Sequence, residues 1–147
     1  MRMEQIGSAA WGFRTLALEQ QLALSAKLGF VTHELGIANA DTDIPTDASP
    51  ETVDRVKKLY EDYGLSLECA ATGNDFTGDD APAQLEKVKT VIGLCGKLGV
   101  KKLRIFSPIE GHGQIAGSFD QLFHDSTLSD GCIENSITHP FQKGNGK

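Results

Sequence analysis

The stretch Leu98-Gly99-Val100-Lys101-Lys102-Leu103-Arg104-Ile105-Phe106-Ser107-Pro108 reads as a helix ending on glycine, a short apolar strand, and a polar segment where the strand runs out. Two earlier stretches share that grammar: Leu28-Gly29-Phe30-Val31-Thr32-His33-Glu34-Leu35 and Tyr63-Gly64-Leu65-Ser66-Leu67-Glu68-Cys69. Their glycines stand at 29, 64 and 99, thirty-five residues apart both times. A helix-to-strand junction recurring at that period predicts an α/β repeat.

Working outward from the junctions gives four βα units. A first strand over residues 6–10 runs into Trp11-Gly12-Phe13-Arg14, and Thr15 is placed as N-cap of a helix whose apolar positions are Leu16, Ala23, Ala26 and Leu28. The second strand, 30–37, passes into a polar loop containing Asp41, Asp43 and Asp47. Those acids lack the glycine and terminal glutamate of an EF-hand and read as a solvated loop. Ser49, Pro50 and Glu51 open the second helix with an N-cap, a proline at the first position and an acid in the first turn. Its apolar stripe is Val53, Val56, Leu59, Tyr60 and Tyr63. A third strand, 65–71, follows, then a glycine-rich loop and a third helix facing inward through Leu85, Val88, Val91, Ile92, Cys95 and Leu98. The fourth strand covers 101–106. Residues 111–147 form an irregular tail, with a short helix placed at 118–128, a fifth strand at 131–137 and a polar end.

Composition bounds the function. The chain has 147 residues, 39% of them hydrophobic, so it can bury a core of its own as one domain. A net charge of −6 disfavours nucleic acid as a partner, because phosphate binding needs clustered Lys and Arg. No apolar run approaches the ~20 residues of a membrane helix, and the start lacks a signal-peptide pattern. The chain therefore reads as cytoplasmic. Cys69, Cys95 and Cys132 are too widely spaced for a C-x-x-C motif and read as packed thiols. His112, His124 and His139 show no metal-binding spacing.

Strand–helix alternation with right-handed crossovers leaves a choice between a doubly wound sheet and a (β/α) barrel. After the first strand there is no G-x-G-x-x-G, and neither a P-loop nor a G-x-S-x-G occurs anywhere. The regular period favours the barrel. The expected fold class is α/β, a partial (β/α) TIM-barrel-like arrangement of about four units over residues 1–110 followed by the tail.

Gly-Phe-x-x-x-Glu-Leu at 29–35, Ser-Pro-Glu at 49–51, Tyr-Gly-Leu at 63–65 and Leu-Gly-Val-x-x-Leu-Arg-Ile-Phe at 98–106 together resemble the xylose isomerase-like barrel superfamily. That group includes sugar isomerases, sugar-phosphate epimerases and enzymes of the endonuclease IV type. The resemblance covers about residues 4–108, the N-terminal half of a barrel that takes about 250 residues in full. It implies a sugar or sugar-phosphate isomerase or epimerase using a divalent metal, Mn²⁺, Mg²⁺ or Zn²⁺, held by carboxylates and a histidine on later strands. It also implies that Glu134, in Ile133-Glu134-Asn135, is the first metal ligand and acid–base residue, while the residues alone also allow an exposed carboxylate of the tail. The other ligands would belong to strands beyond this sequence. Three readings of the half-length stay open: a truncated product, a half-barrel that closes as a homodimer, and a small open sheet without chemistry.

Three further side chains are candidates for contact with substrate. Trp11 is either a ring that stacks on a sugar or an ordinary packing residue. Glu34 and His33 are neighbours on one strand and point to opposite faces, and Glu34 is assigned to the interior, either as a structural pairing partner or as a contact in catalysis. Arg104 interrupts an apolar strand, where its charge needs an anion. A substrate phosphate or carboxylate would serve, and so would a glutamate on the neighbouring strand such as Glu68.

Overall fold

The computed structural model describes residues 6–38, 44–76 and 79–106. The order is β1 (Gly7–Ala9), a single 3₁₀ turn (Ala10–Phe13), α1 (Leu18–Lys27), β2 (Thr32–Ile37), α2 (Pro50–Asp62), β3 (Cys69–Thr72), α3 (Ala81–Leu98) and β4 (Lys102–Arg104). The strands form one parallel sheet in the order β1-β2-β3-β4. The three helices share a single apolar cluster with one face of that sheet. Sequential order with every helix on one side is the winding of a barrel, since a doubly wound sheet reverses its order and covers both faces.

The repeated junction has one physical cause. Gly29, Gly64 and Gly99 take φ of 84°, 65° and 77°, a left-handed turn that L side chains resist. In each case the next residue's N–H reaches back to a carbonyl in the last helical turn: Phe30 to Ser25, Leu65 to Tyr60 and Val100 to Cys95, at 3.1, 2.9 and 2.9 Å. The carbonyls at the helix end are thereby satisfied as the chain swings into its strand.

α2 begins as its sequence predicts, with the Ser49 side chain accepting from the Thr52 N–H at 3.3 Å and Pro50 at the first position. α3 buries Val88, Val91, Ile92, Cys95 and Leu98, leaving Leu85 half-buried. α1 differs from expectation. Thr15 is not its cap; the helix starts at Leu18 after Ala17, whose N–H is met by the Gln20 side chain at 3.2 Å. The buried face is Leu18, Gln21, Leu22 and Ser25, while Leu28 is 54% exposed. Two polar residues hid this stripe, since Ser25 is buried against Ser8 at 2.8 Å and Gln21 donates to the Leu16 carbonyl.

β3 also departs from its expected span. Thr32 bridges Ser66, yet Leu35 pairs with Ala70, so the third strand uses one residue more than the second over that interval. This is a β-bulge, and it delays the regular ladder to Cys69. The first and fourth strands are likewise shorter than expected, because Ala10 enters the 3₁₀ turn and the ladder ends at Arg104. The expected tail helix and fifth strand, with Glu134, Cys132, His112, His124 and His139, lie outside the described residues.

Candidate functional site

The two sides of β2 are chemically different. His33, Leu35 and Ile37 turn to the helices and are buried, with Leu35 and Ile37 in the apolar cluster. Glu34 and Gly36 turn the other way, to the inner face. Parallel register fixes their neighbours: Ala9 lies beside Glu34, and Ala71 lies between Gly36 and Arg104. Gly36 and Ala71 have little or no side chain, so a long one can lie flat across them.

Arg104 does so. Its Nε and Nη2 donate to the two Glu34 carboxylate oxygens at 3.1 and 2.9 Å, across β3 and seventy residues of sequence. The side chains retain 29% and 15% exposure, so the pair is partly desolvated and solvent still reaches it. Two-point contact of this kind is the strong form of a charge-assisted hydrogen bond. It raises the already basic Arg104 guanidinium further. The Cys69 thiol, half-buried beside the pair, donates to Glu34 at 3.8 Å, and burial followed by the nearby carboxylate pushes its pKa up. A thiol held protonated is a poor nucleophile.

The expected alternative partner for Arg104, Glu68, does not meet it. Register sets Ala71 opposite Arg104, and Glu68 falls three residues earlier, where it is exposed and accepts from Ser66 at 3.3 Å. Trp11 is 65% exposed in the 3₁₀ turn after β1, with the Arg14 guanidinium 4.5 Å over its ring. The structure thus joins Glu34 and Arg104 and leaves Trp11 apart in the turn after the opposite edge strand.

Sequence reasoning missed Asn74 and Phe106. Asn74, 4% exposed, donates to the Phe106 carbonyl at 2.7 Å and accepts from the Phe106 N–H at 3.1 Å. One side chain thereby substitutes for a strand's peptide group and fixes the chain beyond β4. Phe106 is 47% exposed, with the Arg104 guanidinium 5.2 Å from its ring centre. Ala38, where β2 ends, holds φ of 54°, a strained value for a residue with a Cβ. These features cluster at the C-terminal ends of the strands, where TIM-barrel sites form. A pocket of about 300 Å³ lies toward their beginnings and shares Glu34 and Cys69 with the ion pair, its lining also including Gly7, Ala9, Thr32 and Lys102.

On the helix side, His33 Nδ1 and the Tyr60 hydroxyl lie 2.7 Å apart. His33 Nε2 is buried without a hydrogen-bond partner among the described residues. Burial pushes this imidazole down to about 4 against the opposite pull of Glu34, and pushes the Tyr60 phenol upward.

Solved structures match this arrangement. D-psicose 3-epimerase, crystallised in the presence of D-fructose, matches at TM-score 0.57 and 16% identity over 79% of this chain and 45% of its own. A sugar phosphate isomerase/epimerase from Parabacteroides distasonis matches at TM-score 0.52 and 21% identity, over 80% of this chain and 44% of its own. A xylose isomerase-like TIM barrel protein from Mycobacterium smegmatis in complex with magnesium matches at TM-score 0.54 and 15% identity, over 76% and 40%. The fold is that of a partial TIM barrel, similar to about half of each of these structures. The match is consistent with the N-terminal half, and the chain spans under half the length of these three structures. No family model and no curated protein matches it.

The magnesium of that structure has no counterpart in the described residues. They contain no group of three or more His, Cys, Asp or Glu able to hold a metal. Glu34, the acid facing inward, already gives both oxygens to Arg104. No helix among the described residues is long and apolar enough to cross a membrane.

Proposed function

We propose that this chain supplies the substrate-facing first half of a sugar or sugar-phosphate isomerase or epimerase, in which Trp11, Glu34 and Arg104 contact the substrate. The supporting observation is the Glu34–Arg104 pair, a polar group held on the inner face over the small residues Gly36 and Ala71. Such a pair can orient a hydroxy-carbonyl compound by accepting from one hydroxyl and donating to another. Moving a proton next to the carbonyl needs a separate acid–base group. In this reading Glu134 is that group and also a ligand of a divalent metal, whose site a second copy of this chain completes when the second half is absent.

The test is thermal melting of the full chain with Mn²⁺, Mg²⁺ or Zn²⁺, with and without D-fructose. Stabilisation by metal that Glu134→Ala abolishes is the expected result. A folded sample indifferent to every metal and to sugar would overturn the reading.

A second reading is a half-barrel without catalysis that associates through its edges. Among the described residues β1 and β4 each pair on one side only, and such edges are templates for further strands. Light scattering on the eluting chain separates the two. Metal-independent dimers favour association, and a monodisperse monomer counts against it.

A further inference from the structure

The C-terminal corner of β4 specifies more than a generic sugar. Arg104 is the cation nearest the strand's end, but its charge is matched by Glu34 through two hydrogen bonds of 2.9 and 3.1 Å. The other cation on the strand, Lys102, stands at its beginning. A phosphate approaching Arg104 would meet the Glu34 carboxylate across the same guanidinium, and two anions on one site repel. A hydroxyl meets no such opposition, since it donates to a carboxylate oxygen and accepts from the guanidinium hydrogens on Nη1, which the pair does not use.

Phe106 supplies the apolar half of the corner. Its ring is nearly half exposed, Arg104 lies against it, and Asn74 holds its peptide at both the N–H and the carbonyl. An aromatic face fixed in this way beside a balanced polar pair suits a ligand that is apolar along its C–H face and rich in hydroxyls at its edge.

We propose that this corner takes an uncharged sugar in preference to a phosphorylated one, with Phe106 as the stacking surface and the Arg104–Glu34 pair as partner to the hydroxyls. The inference rests on the isomerase or epimerase reading and narrows its substrate class. Phe106 acts as a specificity-determining contact and takes no part in proton transfer.

The experiment is ligand-observed NMR titration of the full chain with D-fructose and, separately, D-fructose 6-phosphate. D-fructose is expected to bind about tenfold more tightly than its phosphate, the size of one charge-assisted contact. Phe106→Ala weakens D-fructose binding by about tenfold, and Phe106→Trp, which keeps an aromatic face, restores it. Glu34→Gln removes the opposing charge and narrows or reverses the preference. Phe106 is half exposed, so its variants keep the wild-type melting temperature, which is measured alongside. Equal or tighter binding of the phosphate by the wild type, or unaltered binding by Phe106→Ala, overturns the inference alone. Failure of both sugars to bind overturns the isomerase or epimerase reading with it.

Discussion

The two faces of the sheet differ in what they ask of a side chain. The helix face is filled by Leu35, Ile37, Ala70 and Leu103, each at most 5% exposed, and it tolerates His33 only in contact with Tyr60. The inner face, among the described residues, carries Gly36 and Ala71 beside the Glu34–Arg104 ion pair that solvent reaches, with Thr32, Cys69 and Lys102 nearer the strand beginnings. Burial of apolar area stabilises the first face, and geometry between charges organises the second. Adjacent residues of β2 sit in these two regimes: His33 is pushed toward neutrality, while Glu34 finds a cation two strands away.

If that contrast holds, the largest loss comes from the helix face. Leu35→Ala should cost about 2–5 kcal/mol in urea denaturation, because the vacated volume lies among tightly packed neighbours. A cost below 1 kcal/mol would mean the core is looser than its burial implies.

The next effect is acid sensitivity from His33. Its folded pKa of about 4 lies below the ordinary 6.5, so the unfolded chain takes up this proton first. The contribution is full above pH 6.5 and is lost as pH falls toward 4, by about 3 kcal/mol in total. Denaturation midpoints between pH 7 and pH 4 should fall more steeply for the wild type than for His33→Asn. Parallel curves would show that the imidazole is not desolvated as described.

The smallest effect belongs to the inner face. Arg104→Ala should cost about 1–3 kcal/mol, reduced from the fully buried case because solvent reaches both partners. Removing Glu34 as well should recover part of that loss, since the remaining penalty of the single variant is an unpaired carboxylate. A double-mutant cycle reads this coupling directly. Zero coupling would place the pair among surface bridges and remove its claim to organise a site.

Much of the helix face was legible from sequence because it obeys local rules. The glycines at 29, 64 and 99 marked every junction, and Ser49-Pro50-Glu51 marked the start of α2. α1 was misread where polar residues are buried, since Gln21 and Ser25 break the apolar period while still packing inside. The inner face was less legible, being set by register. The bulge between Ser66 and Ala70 leaves no plain mark in the residues, and Arg104 finds Glu34 only once the strands are aligned. Asn74 looked like any turn former in a glycine-rich loop, and its bonds to Phe106 depend on where β4 ends.

The thirty-five-residue spacing has a consequence for how this chain tolerates changes of length. Donor residues at 30, 65 and 100 and acceptor residues at 25, 60 and 95 stay in step without a single gap. One whole unit is therefore the natural increment of this architecture. Adding or deleting such a block would carry each helix end and its following strand along together. A shift of one residue between donor and acceptor would instead turn a strand over and exchange the face that packs for the face that binds.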